Sequence, residues 1–248
     1  MVTAADTTRA LRKHVFPLLR SAGFDDWTTR RAWRHSNDRI DHIEFRSFNG
    51  YYADKFEAST ASISVWIGIS LPFLSYAFEA PDGPKGKRPD EAQMRIRGEL
   101  YPSTDYVGPV STQPGIEGIW IVRTHEEAEA ASRDIARVIE NVGLPRLSET
   151  WSAEVLLERM LNEGGEISLK SDDFPGRFWL DVGPSDTPIR NVAISDLAAL
   201  LGRFSLAADH LERSRWCRNP LTEELYMFLD PAEDEQTRAL IAEYQSMR

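Results

Sequence analysis

The sequence predicts an α+β fold: an antiparallel sheet of about five strands with helices on one face, followed by a C-terminal helical region. Three observations carry this expectation. Between residues 27 and 123 apolar and polar residues alternate at period two, the pattern of half-buried antiparallel strands. Residues 3–22 show helical spacing instead, and beyond residue 123 cap signals precede a series of helix-like segments.

Leu11, Val15, Leu18, Leu19 and Ala22 define the first helix, which Gly23 ends, and Pro17 inside the pattern should kink it. Five strands are expected next: Trp27 to Arg34, one centred on Ile43 and Phe45, one from Ile63 to Leu71, one at Met94 and Ile96, and Gly118 to Arg123. Residues 80–90 and 101–114 read as loops.

Thr124 and Glu127 make a capping box for a helix that Gly143 and Pro145 should end. Ser152 caps a helix reaching about Asn162, and residues 166–186 read as extended, with Phe178 and Leu180 as anchors. Thr187 and Pro188 open a helix through Leu201. Gly202, Phe204 and Ala207 then have the spacing of a tetratricopeptide-like hairpin, in one copy only. Asp230 and Pro231 start a last helix ending near Ser246. The expected organisation is a sheet domain over residues 1–147 and a helical region over 148–248, which can share one core.

The run LRKHVFPLLRSAGFDDWTTRRAWRH, with the strands IDHIEFRSF and SISVWIGISL and the helix EEAEAASRDIARVIENVGLPRLSETWS, resembles a bacterial family catalogued as a domain of unknown function. The resemblance covers about residues 8–152. It implies a helix with an internal proline, a Gly-Phe turn and antiparallel strands, and it brings no activity or site.

The chain has 248 residues and a net charge of −10, divided unequally: +1 over residues 1–124 and −11 over 125–248. There is no long uncharged apolar run and one cysteine, Cys217, so a cytoplasmic protein with no membrane segment and no internal disulfide is expected. Basic residues are 24 Arg against five Lys, a bias expected of a GC-rich bacterial genome.

Candidate chemistry is sparse. His125, Glu126 and Glu129 lack the second histidine of a helical zinc site and suit a helix start, so no metal is expected. Gly68-Ile69-Ser70-Leu71-Pro72 departs from a nucleophile elbow, and the Gly83 to Arg88 loop lacks the spacing of a phosphate cradle. Cys217 has no histidine partner in the sequence pattern.

The strand phase offers more. With Ile43, Phe45, Val65, Ile67, Met94, Ile96, Ile119 and Ile121 facing the core, the opposite face carries His42, Glu44, Arg46, Trp66, Arg95, Arg97 and Trp120. Trp66 and Trp120 could be covered by the C-terminal helices, stand alone on the surface, or join the arginines as a platform for a ligand or partner. The acidic charge counts against nucleic acid. Two functional readings follow, neither with a cofactor. In the first, a non-enzymatic binding or accessory protein engages a protein partner through its acidic C-terminal half, as an immunity-type inhibitor does with a basic toxin. In the second, Arg46, Arg95 and Arg97, with Trp66 and Trp120, hold a small anion while His42 and Glu44 act as an acid–base pair.

Overall fold

Helix α1 (Ala4–His14) begins where Asp6 accepts hydrogen bonds from the Thr3 backbone N–H (2.9 Å) and hydroxyl (2.7 Å). Pro17 cannot donate to the preceding turn, and the helix is interrupted at Val15 before resuming as α2 (Phe16–Ser21) with the proline in its first turn. Gly23, at φ +88°, turns the chain into the sheet. The computed structural model describes residues 2–71, 73, 80–90, 93–111, 117–162, 167–168, 176–180, 187–218, 225–227 and 229–247. Within this set the protein is α+β, with an antiparallel sheet and a C-terminal helical region.

The elements that follow are β1 (Asp26–Trp27), β2 (Arg31–His35), β3 (Ile40–Ser47), α3 (Gly50–Lys55), β4 (Ile63–Ser70), β5 (Asp82–Gly83), β6 (Gly86–Lys87), β7 (Ile96–Leu100) and β8 (Ile119–Trp120). Next come α4 (His125–Val138), a π turn (Ile139–Gly143), α5 (Leu144–Leu147), α6 (Ala153–Asn162), β9 (Ile167–Ser168) and β10 (Gly176–Leu180). The chain closes with α7 (Pro188–Leu200), α8 (Phe204–Ser214), β11 (Trp216–Arg218), β12 (Leu225–Met227) and α9 (Pro231–Ser246). No helix among the described residues is long and apolar enough to cross a membrane.

The main sheet has eight strands where five are expected, in the order β1-β2-β3-β4-β7-β10-β9, with β8 also paired to β4. The expected strand at Trp27 to Arg34 is a hairpin, β1 and β2, and residues 82–87 form a small hairpin, β5 and β6, where composition suggests only a loop. The Gly143 and Pro145 stop signals do not end the helix. The π turn admits Gly143, and Pro145 falls in the first turn of α5, where its missing N–H costs nothing.

Two compact units divide the chain. Met1–Ser70, Phe78–Glu149 and Ser168–Trp179 make the first; Leu71–Ala77, Thr150–Ile167 and Leu180–Arg248 make the second. In the first, antiparallel register puts Ala32, Ile43, Phe45, Ile63, Val65, Ile67, Ile69, Ile96, Gly98 and Leu100 on one face. This face is the core: α1, α2 and α4 supply Leu11, Leu19, Ile135 and Val138, with Val15 between the first two, all buried, and Phe16 lies 6.0 Å from Phe45.

In the second unit Thr187 caps α7 by accepting from Arg190 N–H at 3.4 Å, and Gly202 at φ +69° reverses the chain into α8. Ser195 donates to the Ala207 carbonyl (2.9 Å) and His210 meets Asn191 (2.8 Å), a register that sets α7 and α8 antiparallel. Ala207 and Ala208 let the helices approach, and Leu211 packs with Ile241 and Tyr244 of α9. The capping box of Asp230 and Glu233 starts α9 where its signal lies.

Gly98 marks a contact too close for any side chain. A Cβ there would stand 2.3 Å from Phe178 Cδ1 and 2.9 Å from the Arg177 carbonyl of β10. Gly98→Ala should therefore destabilise the chain by about 2 kcal/mol through overpacking, read as a lower urea midpoint; an unchanged midpoint would show that β10 is not seated on β7.

Candidate functional site

The second face of the sheet carries the chemistry. By register it presents Arg31, Trp33 and His35 from β2, His42, Glu44 and Arg46 from β3, Ser64, Trp66 and Gly68 from β4, and Arg97 and Glu99 from β7. His42, Glu44, Arg46, Trp66 and Arg97 thus share a face as the alternation implies. Trp120 does not join them. It pairs with Ile63, so it points into the core, where it is fully buried and its Nε1 donates to Asp134 at 2.8 Å. A two-residue strand has too little length to display its phase, and Ile119 takes the outer position instead.

Arg95 and Met94 also depart from the expected phase, because both precede β7. Arg95 is half-buried, outside the ladder. Met94 belongs to the second face: its sulfur stands 2.2 Å from where a Cβ on Gly68 would be.

This face is not simply solvated, as alternation with charged residues suggests. His42 and Trp33 are fully covered and Glu44 is nearly so. At the Trp33 end Arg88 and Pro89 supply cover: Trp33 Nε1 donates to the Pro89 carbonyl (2.8 Å), and the Arg88 guanidinium lies 5.2 Å over the indole. Arg88 also pairs with Asp26 through Nε at 2.9 Å, which holds that carboxyl below its ordinary value with help from His35. The cations of the 82–88 hairpin are likewise occupied, Lys85 by Asp25 and Lys87 by Asp82.

At the other end Glu44 accepts from Arg31 (2.9 Å) and Arg46 (3.0 Å). Arg46 lies 4.7 Å over Trp66, Trp66 meets Trp179 edge-on at 5.7 Å, and Arg97 and Arg177 lie 5.3 and 5.7 Å from the Trp179 ring. The result is a ladder of two indoles in contact, with a guanidinium on Trp66 and two on Trp179. Trp179 and Arg177 were not anticipated, although FWL within GRFWL carries the alternation that would have put Trp179 opposite Phe178.

The acid–base pair meets a physical obstacle. His42 packs 5.2 Å from Trp33, both ring nitrogens lack a hydrogen-bond partner among the described residues, and burial, with repulsion from Arg31 and Arg46, pushes its pKa down to about 3. A ring that is neutral at pH 7 and sealed from solvent cannot exchange protons with a substrate. Asp41 points to the opposite face, where Arg34 (2.8 Å) and Arg39 (3.2 Å) hold it, yet burial still raises its carboxyl above the ordinary value.

The remaining candidates resolve into structure. Thr124 and Glu127 form the reciprocal cap, and Glu129 binds His14 (2.6 Å) and Lys13 (2.9 Å), which hold it near pKa 2. No three His, Cys, Asp or Glu side chains among the described residues are grouped to hold a metal ion. Ser70 is a buried residue of β4, and Cys217 lies half-buried in β11.

His42 sets a pH dependence with a definite sign. The unfolded ring takes a proton near 6.5 and the folded one only near 3, so the unfolded chain binds more protons between those values. Stability should fall as the pH is lowered from 6.5 toward 4.5, with a slope approaching about 1.4 kcal/mol per pH unit. His42→Leu should flatten this slope in urea titrations, and the difference between the two profiles separates His42 from Asp41, whose raised carboxyl acts in the opposite sense. An equal slope in both proteins would contradict the burial of a neutral ring.

Comparisons with protein-family models, with curated proteins and with solved structures find no match for this chain.

Proposed function

We propose that the protein is a non-enzymatic binding protein that engages a protein partner through its acidic C-terminal helical unit. The observation that supports this is the outer face of α7. Ile189, Val192, Asp196, Ala199 and Leu200 fall at i, i+3, i+7, i+10 and i+11, one stripe of the helix, while Ala193, Ile194, Leu197 and Ala198 fill the buried side. Ile189 is 44% and Leu200 57% exposed, and Val192 and Ala199 are half-covered.

Exposed apolar side chains in a row, here interrupted only by Asp196, are the kind of surface a partner covers. The stripe lies in a half of the chain with charge −11, so the complementary surface is apolar at its centre and basic at its rim. A basic protein neutralised by an acidic one is the immunity-type version of this reading.

The Arg and Trp face supports a small anionic ligand less well. Arg46 and Arg31 are already neutralised by Glu44, so an incoming anion would have to displace a buried carboxylate. His42 offers no acid–base group there.

Capture from a lysate of the source cells tests the proposal. The wild-type chain should retain a partner in a salt-sensitive manner, and Leu200→Asp, at the most exposed apolar position of the stripe, should weaken retention by about tenfold or more. Recovery of self-association alone at every salt concentration, or equal capture by the variant, would overturn it.

A further inference from the structure

A second surface, in the sheet unit and away from the Arg and Trp ladder, has the composition of a ligand site. Arg12, Phe16 and Arg20 recur at i, i+4 and i+8 through the interruption at Val15. Helical hydrogen bonds bridge that interruption, Val15 N–H to the Leu11 carbonyl (2.8 Å) and Leu19 N–H to the Val15 carbonyl (3.1 Å), so the three side chains stay on one face. Trp27 of the edge strand β1 packs on Phe16 with ring centroids 4.8 Å apart. Together with Thr28 these residues line a cavity of about 470 Å³, a volume within the usual range for small-molecule sites.

Many arginines of the molecule are neutralised, and others, such as Arg30 and Arg123, donate to backbone carbonyls. Arg9, Arg31, Arg34, Arg46, Arg88, Arg133, Arg137, Arg146, Arg213, Arg215 and Arg238 each meet a carboxylate. Among the described residues neither Arg12 nor Arg20 has an ion pair, although acidic side chains outnumber basic ones by 39 to 29. Arg20 instead lies 5.7 Å over the Trp27 ring. The indole N–H is satisfied by the Phe24 carbonyl (3.1 Å), which leaves the ring surface for packing, and the Thr28 side chain has no hydrogen bond among the described residues.

We propose that this cavity binds a small anion carried on a planar aromatic ring, with the ring against Trp27 and Phe16 and the carboxylate or phosphate held by Arg12 and Arg20. Guanidinium forks match either anion in two places, and an aromatic floor adds stacking for a flat ligand and none for a bare ion. Phe16 and Trp27 are fixed by the core beneath them, so the floor is formed before the ligand arrives.

Calorimetric titration of the full chain distinguishes the sources of the anion. Indole-3-acetate carries the carboxylate and adenosine 5′-monophosphate the phosphate; adenosine supplies a ring without charge and inorganic phosphate a charge without a ring. At least one aromatic anion should bind with one-to-one stoichiometry and Kd below about 1 mM, with both controls weaker by about tenfold. Arg12→Gln and Arg20→Gln should each weaken that binding by about tenfold with little change in melting temperature, since both side chains are exposed and neither has an ion pair among the described residues. Trp27→Leu, a variant that tests the floor, should weaken the aromatic anion and leave inorganic phosphate unaffected. Failure of both aromatic anions to bind, adenosine binding as tightly as its monophosphate, or equal binding by wild type and both arginine variants would overturn the proposal. None of these outcomes bears on α7, so the site and the partner surface stand or fall separately.

Discussion

A carboxylate removed from water must be met by a cation or by several donors, and this requirement organises the sheet unit. Asp26, Asp41, Glu44 and Asp134 are all buried. Asp26 takes Arg88 and His35, Asp41 takes Arg34 and Arg39, and Glu44 takes Arg31 and Arg46. Burial alone would raise the Asp134 carboxyl, but donors from Ser103, Trp120 and Arg137 outweigh it and hold it below its ordinary value. The pairs of Asp41 and Glu44 brace the β2–β3 hairpin, whereas Asp26 ties β1 to Arg88 and Asp134 ties α4 to β8 and to Ser103. The second unit repeats the device, with Asp234 of α9 between Arg215 and Arg238. Such pairs add little net stability over apolar packing, but removing one partner is costly, so they act mainly to specify which elements meet.

This requirement also gives the arginine excess a structural use. A guanidinium can donate to a carboxylate while its flat surface stacks on an indole, as Arg46 does between Glu44 and Trp66. A lysine ammonium provides the charge without the plane. The second face of the sheet is therefore largely satisfied within itself, and His42 is sealed among neighbours that keep it neutral. Surfaces with unmet demands lie elsewhere, in the apolar stripe of α7 and in the cavity between Arg12 and Arg20.

Much of the fold was legible because it depends on local chemistry. Thr124, Thr187 and Asp230 start helices where their side chains can reach free backbone donors, and β3 and β4 are long enough for period two to show. The failures have physical causes as well. Alternation reports polarity and not exposure, so the sequence His42, Glu44, Arg46 reads the same whether its charges are solvated or paired under cover. Ile119 and Trp120 are too few to reveal a phase, and Met94 lies beside its strand. The Arg12, Phe16 and Arg20 spacing was present, but it escapes a search for apolar periodicity because its two charged members are what distinguish it.

Buried carboxylates and their arginines thus act as coupled pairs that hold the sheet unit together. A double-mutant cycle on Asp26 and Arg88 tests this coupling most directly, with Asp26→Asn, Arg88→Met and the double variant unfolded in urea at pH 7. Either single change should be strongly destabilising, and the double variant should recover more than about 1 kcal/mol relative to additivity. Additive effects within about 0.5 kcal/mol would contradict the coupling, because the two side chains would then be neighbours without being partners.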